Sequence, residues 1–565
     1  MKIPSFNKES KNSKPLLVKL TVGLATICLV AFVVVPLISR SNIYTQFKKL
    51  EQVMSMAVQW YFEDVDVEKL TESAIRGMLR DLDPHSTYLT AEDLTRANEE
   101  ISGSFEGIGI SFSVMSDTLV VESPIEDGPS ERVGIIARDR IVNVDGNSIV
   151  GIGSDSIRKL LRGPKGTIVQ LGVHRPGTRG LLNFTVTRDK IPIYSVDAYF
   201  IVDGTDIGYI SINNYAQTTH RELVAAGNKL REQGMKRLIL DLRNNGGGLL
   251  DQAGLVADEF LKGDTIVYTR GRRADDQVFV ARAGQTMEDI PLIVLINAGS
   301  ASASEITAGA IQDLDRGLVV GVTSFGKGLV QRQLPIHIDG SAVRLTVARF
   351  YTASGRCIQR PFKDIEAWRR LSDRLELEEG ANLEHTLDKI KREEADKEKS
   401  AKRGNDTSAI NLDSIEIFRT RSGRPVLGGG GITPDYIVRH DSRELTALSS
   451  SLWRNGVFGE FVDKYVAEMK KKYGDDYRKF GEEFKLSNSM IKELKKIAKE
   501  KNIEWNEEEF EKDRDWYENR QLKSLLARAI WNSNTARRIT ISSDRQLNRA
   551  LELFPLAEKI QKRSK

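Results

Sequence analysis

The chain has 565 residues, 40% of them hydrophobic and 29% charged, an ordinary globular composition that excludes wholesale disorder, collagen and a multispanning membrane protein. Lys plus Arg number 83 and Asp plus Glu 79, a net charge of +4. The first 19 residues, with five Lys and one Glu, carry that excess, so the body lacks the broad basic face of a nucleic-acid binder.

Residues 1–19 read as a basic cytoplasmic tail. Leu20 to Ile38 follows as 19 residues without a charge, about 28 Å as a helix and enough to cross a hydrocarbon core. The flanking lysines place the tail inside and everything after Arg40 outside the cytoplasm. A cleaved signal peptide shares the basic start and apolar middle. No small-x-small cleavage site stands around Pro36 to Asn42, and Ile27 before Cys28 does not suit a lipoprotein signal. The expectation is an uncleaved membrane anchor.

Residues 44–99 are expected to be helical, with Val53, Met56, Ala57, Trp60 and Tyr61 at helical spacing. Asp83-Pro84-His85-Ser86 breaks that pattern. From 100 to 190 the texture becomes short strands punctuated by glycine, with strands at Thr118–Glu122, Arg140–Gly146 and Thr167–Val173 and one clear helix at Ser154–Leu161. This fits a small β-barrel-like module. From 191 to 360 strands and helices alternate. Strands are expected at Ile207–Ile212, Leu238–Leu242 and Leu292–Ile296, and helices at His220–Gln233, Leu250–Phe260 and Ala303–Asp313. That order argues for a layered α/β core. Residues 361–448 hold a mixed-charge run, Glu376 to Arg403, read as a solvated helix or linker, and then a return to the core. Residues 449–565 read as charged helices with Trp453, Trp505, Trp516 and Trp531 as core anchors.

Two cysteines, Cys28 and Cys357, exclude a disulfide framework, and six scattered histidines show no HExxH or short pairing. Four stretches carry chemistry instead. The buried strand Leu292–Ile296 runs into Asn297-Ala-Gly-Ser-Ala-Ser-Ala-Ser-Glu305 and a helix. Such a turn exposes a serine beside free N–H groups at a helix start, and also makes an ordinary cap. Thr323-Ser-Phe-Gly-Lys-Gly-Leu-Val-Gln331 places Lys327 between two glycines. A lysine entering a tight pocket is pushed toward its neutral form and becomes a usable general base, with Gln331 able to orient it. A structural or anion-binding lysine fits the same residues. Asp241-Leu-Arg-Asn-Asn-Gly-Gly-Gly-Leu249 is a strand opening into a glycine turn before a helix. It lacks the lysine of a phosphate loop and the GxGxxG spacing, so it suits an oxyanion donor or a plain turn. Phe105-Glu-Gly-Ile-Gly-Ile110 can aim successive N–H groups at one carboxylate, with a strand edge for β-augmentation, or can be a simple hairpin.

In this order and spacing the four stretches resemble the carboxy-terminal processing peptidases, or tail-specific proteases. The resemblance covers about residues 45–360 and Gly428 to Asp435. Glu63-Asp-Val-Asp-Val-Glu-Lys-Leu70, Gly77-Met-Leu79 and Leu82-Asp-Pro-His-Ser-Thr-Tyr-Leu89 add to it. It implies an α/β multidomain fold: a layered protease core, an inserted PDZ β-module, an N-terminal helical segment and a helical C-terminal region. It further implies Ser302 as nucleophile, with Ser300 and Ser304 as local alternatives, Lys327 as general base and Gln331 as its partner. The Gly247 and Ala303 N–H groups would form the oxyanion hole. Ile108, Gly109 and Ile110 would bind the substrate carboxylate. Two departures stand out. Ala137-Arg138-Asp139 replaces the family's usual Pro-Gly-Asp, and Gly246 replaces a usual proline.

The expected activity is a serine endopeptidase with a Ser–Lys dyad. It would be anchored in the membrane with its body in the periplasm or another extracytoplasmic space, and would act on proteins with free, apolar C-termini. No metal, nucleotide or other cofactor is implied, and no nucleic acid. The alternative is a non-catalytic PDZ scaffold on a protease-like core. An acyl-CoA-type enzyme would need an acidic pair and a cofactor pocket that the sequence does not display. The C-terminal helices suit capping the core, forming a homo-oligomer or docking an adaptor, and the residues do not choose among these.

Overall fold

The computed structural model describes residues 43–115, 117–362, 416–439 and 444–563, with isolated positions between 373 and 392. The basic tail, the apolar segment 20–38 and nearly all of the charged run 376–403 lie outside the described residues. Among the described residues no helix is long and apolar enough to cross a membrane.

Two compact units divide at Tyr88 and Leu89. In the first, a helix over 43–60 is followed by the helix Val67–Arg80. Asp66 caps the second by accepting from the Lys69 N–H at 3.0 Å. The expected break is an Asp83 turn. One carboxylate oxygen accepts the His85 and Ser86 N–H groups, both at 2.8 Å, and the other accepts the Ser86 hydroxyl at 2.7 Å. Of the expected apolar face, Val53, Met56 and Trp60 are exposed on the first helix, and Tyr61 lies just past its end, also exposed.

The second unit is built on a six-stranded sheet in the order Val196–Ile201, Ile207–Ile212, Arg237–Asp241, Leu292–Ile296, Leu318–Gly321 and Tyr436–Ile437. The first pair is antiparallel and the rest parallel. A parallel sheet must be covered on both faces, and its strands accordingly read as unbroken apolar runs. Ile210, Leu240, Val294 and Ile296 face one core with the helices Thr219–Glu232, Leu250–Asp258 and Ala303–Asp313. Tyr209, Ile239, Ile293, Leu295 and Val320 face the other, where Leu547, Phe554, Ala557 and Ile560 from the C-terminal helices pack. A second, antiparallel sheet holds the hairpin Leu329–Pro335/Ala342–Thr352 with Thr265–Gly271 and Val278–Val280.

The β-module is inserted between two strands, Ser104–Gly107 and Asp189–Pro192, that pair with one another. Inside it, Ile110–Met115, Thr118–Pro124, Arg140–Val144, Ile168–His174 and Leu182–Thr187 form an antiparallel sheet closed by the helix Ser154–Leu161. The C-terminal region is helical, as expected, but its tryptophans do not form its centre. Trp453 is 56% exposed, and Trp505, Trp516 and Trp531 pack only partly buried at the rim. Phe458, Phe461, Phe480, Phe510 and Tyr517 fill the middle. Trp505 sits where its indole N–H can donate to Glu507 at 2.9 Å.

Arg138, in the place of the family's glycine, adopts a left-handed φ of 74°. Its side chain leaves the β-module to pair with Asp463 on the helix Val457–Tyr473 and donates to the Gly459 carbonyl at 2.9 Å. Arg140 reaches the same carboxylate at 2.9 Å. The ion pairs thus accompany a conformation that disfavours any side chain by roughly 1–2 kcal/mol. Asp463→Ala leaves two guanidinium groups short of their partner, and should lower stability by about 3 kcal/mol in urea denaturation. Arg138→Gly, which relieves the φ strain while losing the pair, should lose less. Equal losses would mean that the strain is not felt.

Candidate active site

The turn after Leu292–Ile296 carries three serines, and the structure gives each a different task. Ser300 is fully buried; its hydroxyl donates to the Leu242 carbonyl at 2.8 Å and accepts the Asn297 N–H at 3.0 Å. Ser304 is fully buried and donates to the Asn245 carbonyl at 2.9 Å. Ser302 is only partly buried and caps the helix Ala303–Asp313 at φ 55° and ψ −111°. A non-glycine residue held there is strained, and such strain persists only where surrounding contacts fix it. The next N–H, that of Ala303, has no hydrogen-bond acceptor among the described residues and points from the positive end of the helix dipole.

Gly247 lies directly against this turn. A Cβ there would sit 2.8 Å from the Ala301 carbonyl oxygen and 2.8 Å from the Ser302 Cβ, and φ is 98°, so glycine is required twice over. Its N–H donates to Asn245 Oδ1 at 2.9 Å rather than standing free. Asn245 is the stitch that sequence reading missed. Its amide donates to the Ile212 carbonyl at 2.8 Å, and its own carbonyl accepts the Ala301 N–H at 2.9 Å as well as the Ser304 hydroxyl. At Gly246, where a proline is usual, an added Cβ meets nothing within 4 Å, so this departure leaves the turn intact.

Lys327 Nζ donates to Gln331 Oε1 at 2.8 Å. The glycines on either side admit neighbouring backbone: a Cβ on Gly328 would lie 2.8 Å from the Gln359 nitrogen, and one on Gly326 3.2 Å from the Gly431 nitrogen. The stretch Gly428 to Asp435 thus returns to brace the lysine loop, and the Ile432 N–H donates to Ser324 Oγ at 2.6 Å.

Glu305, a second residue that the sequence reading passed over, joins the two loops. It is fully buried. One carboxylate oxygen accepts the Ser302 N–H at 2.8 Å and the Lys327 N–H at 2.9 Å. The other accepts the Gly326 N–H at 2.7 Å and the Ser324 hydroxyl at 2.5 Å. Burial pushes its carboxyl above the ordinary value, and the four donors offset only part of that. The folded protein therefore holds this proton more tightly than the unfolded chain does. Glu305 contributes its full stability below the ordinary carboxyl range, and less as pH rises through the raised value. Glu305→Gln should flatten that part of the stability–pH curve. An amide also offers one acceptor where the carboxylate offered two, so cleavage should fall by about 10²-fold from a misplacement on the scale of 1 Å. Paired denaturation curves from pH 4 to 8 and a cleavage assay check both.

In the β-module, a cleft of about 230 Å³ lies between Ile110–Met115 and Ser154–Leu161, lined by Phe105, Ile108, Gly109, Phe112, Leu161 and Arg162 among others. The Ile108 carbonyl is held by the Ser130 N–H at 3.0 Å and its hydroxyl at 2.7 Å, while the Ile108 and Gly109 N–H groups have no acceptor among the described residues. Gly109 has φ 75°, and a Cβ there would lie 3.0 Å from Ile191 Cδ1.

Residues 206–366 match Peptidase family S41, residues 107–187 a PDZ domain, residues 37–93 the N-terminal domain of activating protease CtpB, and residues 448–532 a family of unknown function. The carboxy-terminal-processing protease of Bartonella bacilliformis is 40% identical over 326 residues, 57% of this chain and 74% of its own length. The carboxy-terminal processing protease CtpA of Bacillus subtilis is 37% identical over 318 residues, 56% of this chain and 67% of its own. Among solved structures, a photosystem II D1 C-terminal processing protease is 32% identical, covering 53% of this chain and 81% of its own at a TM-score of 0.32. The chain belongs to the carboxy-terminal processing proteases of peptidase family S41, and is a serine-type endopeptidase with a PDZ domain.

Proposed function

We propose that Ser302 is the nucleophile, Lys327 its general base and Gln331 the residue that orients the lysine. Ser302 Oγ attacks the scissile carbonyl as Lys327 takes its proton. Lys327 returns that proton to the leaving amine, and water then hydrolyses the acyl-enzyme. The Ala303 N–H and the Gly247 N–H receive the oxyanion, the latter after its peptide turns away from Asn245. One observation carries the assignment: Ser300 and Ser304 spend their hydroxyls on buried carbonyls, whereas Ser302 occupies the strained cap that Glu305 ties to the lysine loop.

The Ile108-Gly109-Ile110 loop takes the free carboxylate of an apolar C-terminus, and the chain extends from there for cleavage upstream. The two unengaged N–H groups and the apolar cleft support this reading. The segment 20–38 anchors the protein, so its substrates are exported.

The test uses the full-length protein and an unstructured substrate ending in apolar residues, made with a free or an amidated C-terminus. Mass spectrometry should show cuts in the free form, few in the amidated form, and none with Ser302→Ala. Equal cutting of both forms would remove the carboxylate from the reading. Binding without cutting by the unaltered protein would favour the scaffold.

A further inference from the structure

The carboxyl ends of Arg237–Asp241 and Leu292–Ile296 open on a cavity of about 290 Å³ whose far wall comes from the C-terminal helices. Crevices at the carboxyl ends of parallel strands are where α/β folds place ligands. Four arginines line it, Arg243, Arg520, Arg537 and Arg545, against two acids, Asp241 and Asp544. Both acids are already committed to one arginine. Arg243 Nη2 lies 2.6 Å from Asp241 and 2.7 Å from Asp544. Burial pushes the Asp241 carboxyl up, and the Arg243 charge outweighs it and holds the group below its ordinary value. Arg520 donates to Ser543.

Arg537 differs from these. Its guanidinium makes no hydrogen bond or ion pair among the described residues, and Tyr209, Asp241 and Asp197 act on it only through their field. A guanidinium presents five donors in a fork that matches carboxylate and phosphate oxygens. Arg537 is exposed, and an unpaired fork in a concave wall fits an oxyanion.

We propose that this cavity binds a small oxyanion, a phosphate or a carboxylate, with Arg537 as its principal contact. The site lies outside the PDZ cleft and the Ser302 turn, and does not depend on the reading of either. It does adjoin the catalytic turns. Asn244 and Asn297 line the same cavity and hold one another by two hydrogen bonds of 2.9 Å, from the Asn244 N–H and from the Asn297 amide. Asn244 keeps a left-handed φ of 58° three residues before Gly247, and Asn297 stands five residues before Ser302. An occupant therefore closes the seam between the C-terminal helices and the strand ends from which both catalytic turns spring.

The test is the thermal midpoint of the full-length protein titrated with inorganic phosphate or succinate at pH 7.5, with sodium chloride at matched ionic strength as control. Phosphate should raise the midpoint saturably, by about 3 °C at 100-fold excess over its dissociation constant. Arg537→Gln should abolish that rise. Ser524→Glu, which puts a carboxylate into the cavity wall, should raise the midpoint without phosphate and flatten the titration. A rise with phosphate alone assigns a phosphate group, and a rise with succinate as well assigns oxyanions generally. No rise with either, or a rise that chloride or Arg537→Gln reproduces, overturns the proposal.

Discussion

Ser302→Ala is expected to lower the cleavage rate by about 10⁴-fold or more, Lys327→Ala by a comparable factor, and the double variant by no more than either alone. Nucleophile and base act as one unit, so removing either removes the covalent route and leaves only what binding and oxyanion donors supply. Alanine at 302 keeps the same Cβ and gives up only the N-cap hydroxyl, so stability should fall by no more than about 1 kcal/mol. The neighbouring serines should behave in the opposite way. Ser300→Ala and Ser304→Ala each remove a buried hydrogen bond to a carbonyl, that of Leu242 or Asn245, which keeps one backbone donor, and should lower stability by about 1–2 kcal/mol. Single-turnover rates set beside urea midpoints for the five variants separate the two patterns. An active Ser302→Ala protein would end the dyad reading, and multiplicative losses in the double variant would show that Lys327 acts elsewhere.

Ending the chain after Thr540 should prevent the catalytic sheet from folding. Residues beyond that point are not an appendage. Leu547, Ala550, Leu553, Phe554, Ala557 and Ile560 are buried on the face of the sheet that carries Tyr209, Ile239, Ile293, Leu295 and Val320. At about 1.5–3 kcal/mol for each large side chain, the lost burial comes to roughly 10 kcal/mol, comparable to the whole stability of a domain. Arg243 would also lose Asp544 and Gln546, which it holds at 2.7 and 2.9 Å. The truncated protein should therefore appear in the insoluble fraction. Phe554→Ala is the milder form of the same experiment, expected to cost about 3–5 kcal/mol. A soluble, cleaving protein ending at Thr540 would show that something else covers this face.

Much of the core was legible because local pattern decides it. Leu292–Ile296 is apolar at every position, as a strand buried on both faces must be, and its bounds agree with the reading, as do those of the helices Ala303–Asp313 and Ser154–Leu161. The glycines around Lys327 were legible as a sign of close approach, though not of what approaches. Other elements left no such signal. The hairpin Leu329–Pro335/Ala342–Thr352 alternates too weakly, with mostly half-buried positions, to stand out as a strand pair. The tryptophans lie at the rim because phenylalanine and tyrosine rings already fill the middle of the helical region.

By itself the sequence determined the order of strands and helices, the glycines at the turns, and a short set of chemically able residues. These follow from backbone preferences and apolar spacing, which act over a few residues. The tertiary structure decided that Ser300 and Ser304 spend their hydroxyls on buried carbonyls, that Asn245 and Glu305 stitch the turns together, that Arg138 in a glycine's place reaches Asp463, and that the last helices complete the sheet. Each of these depends on hydrogen bonds or buried area between segments far apart in the chain, and a sequence pattern carries no distance between such segments.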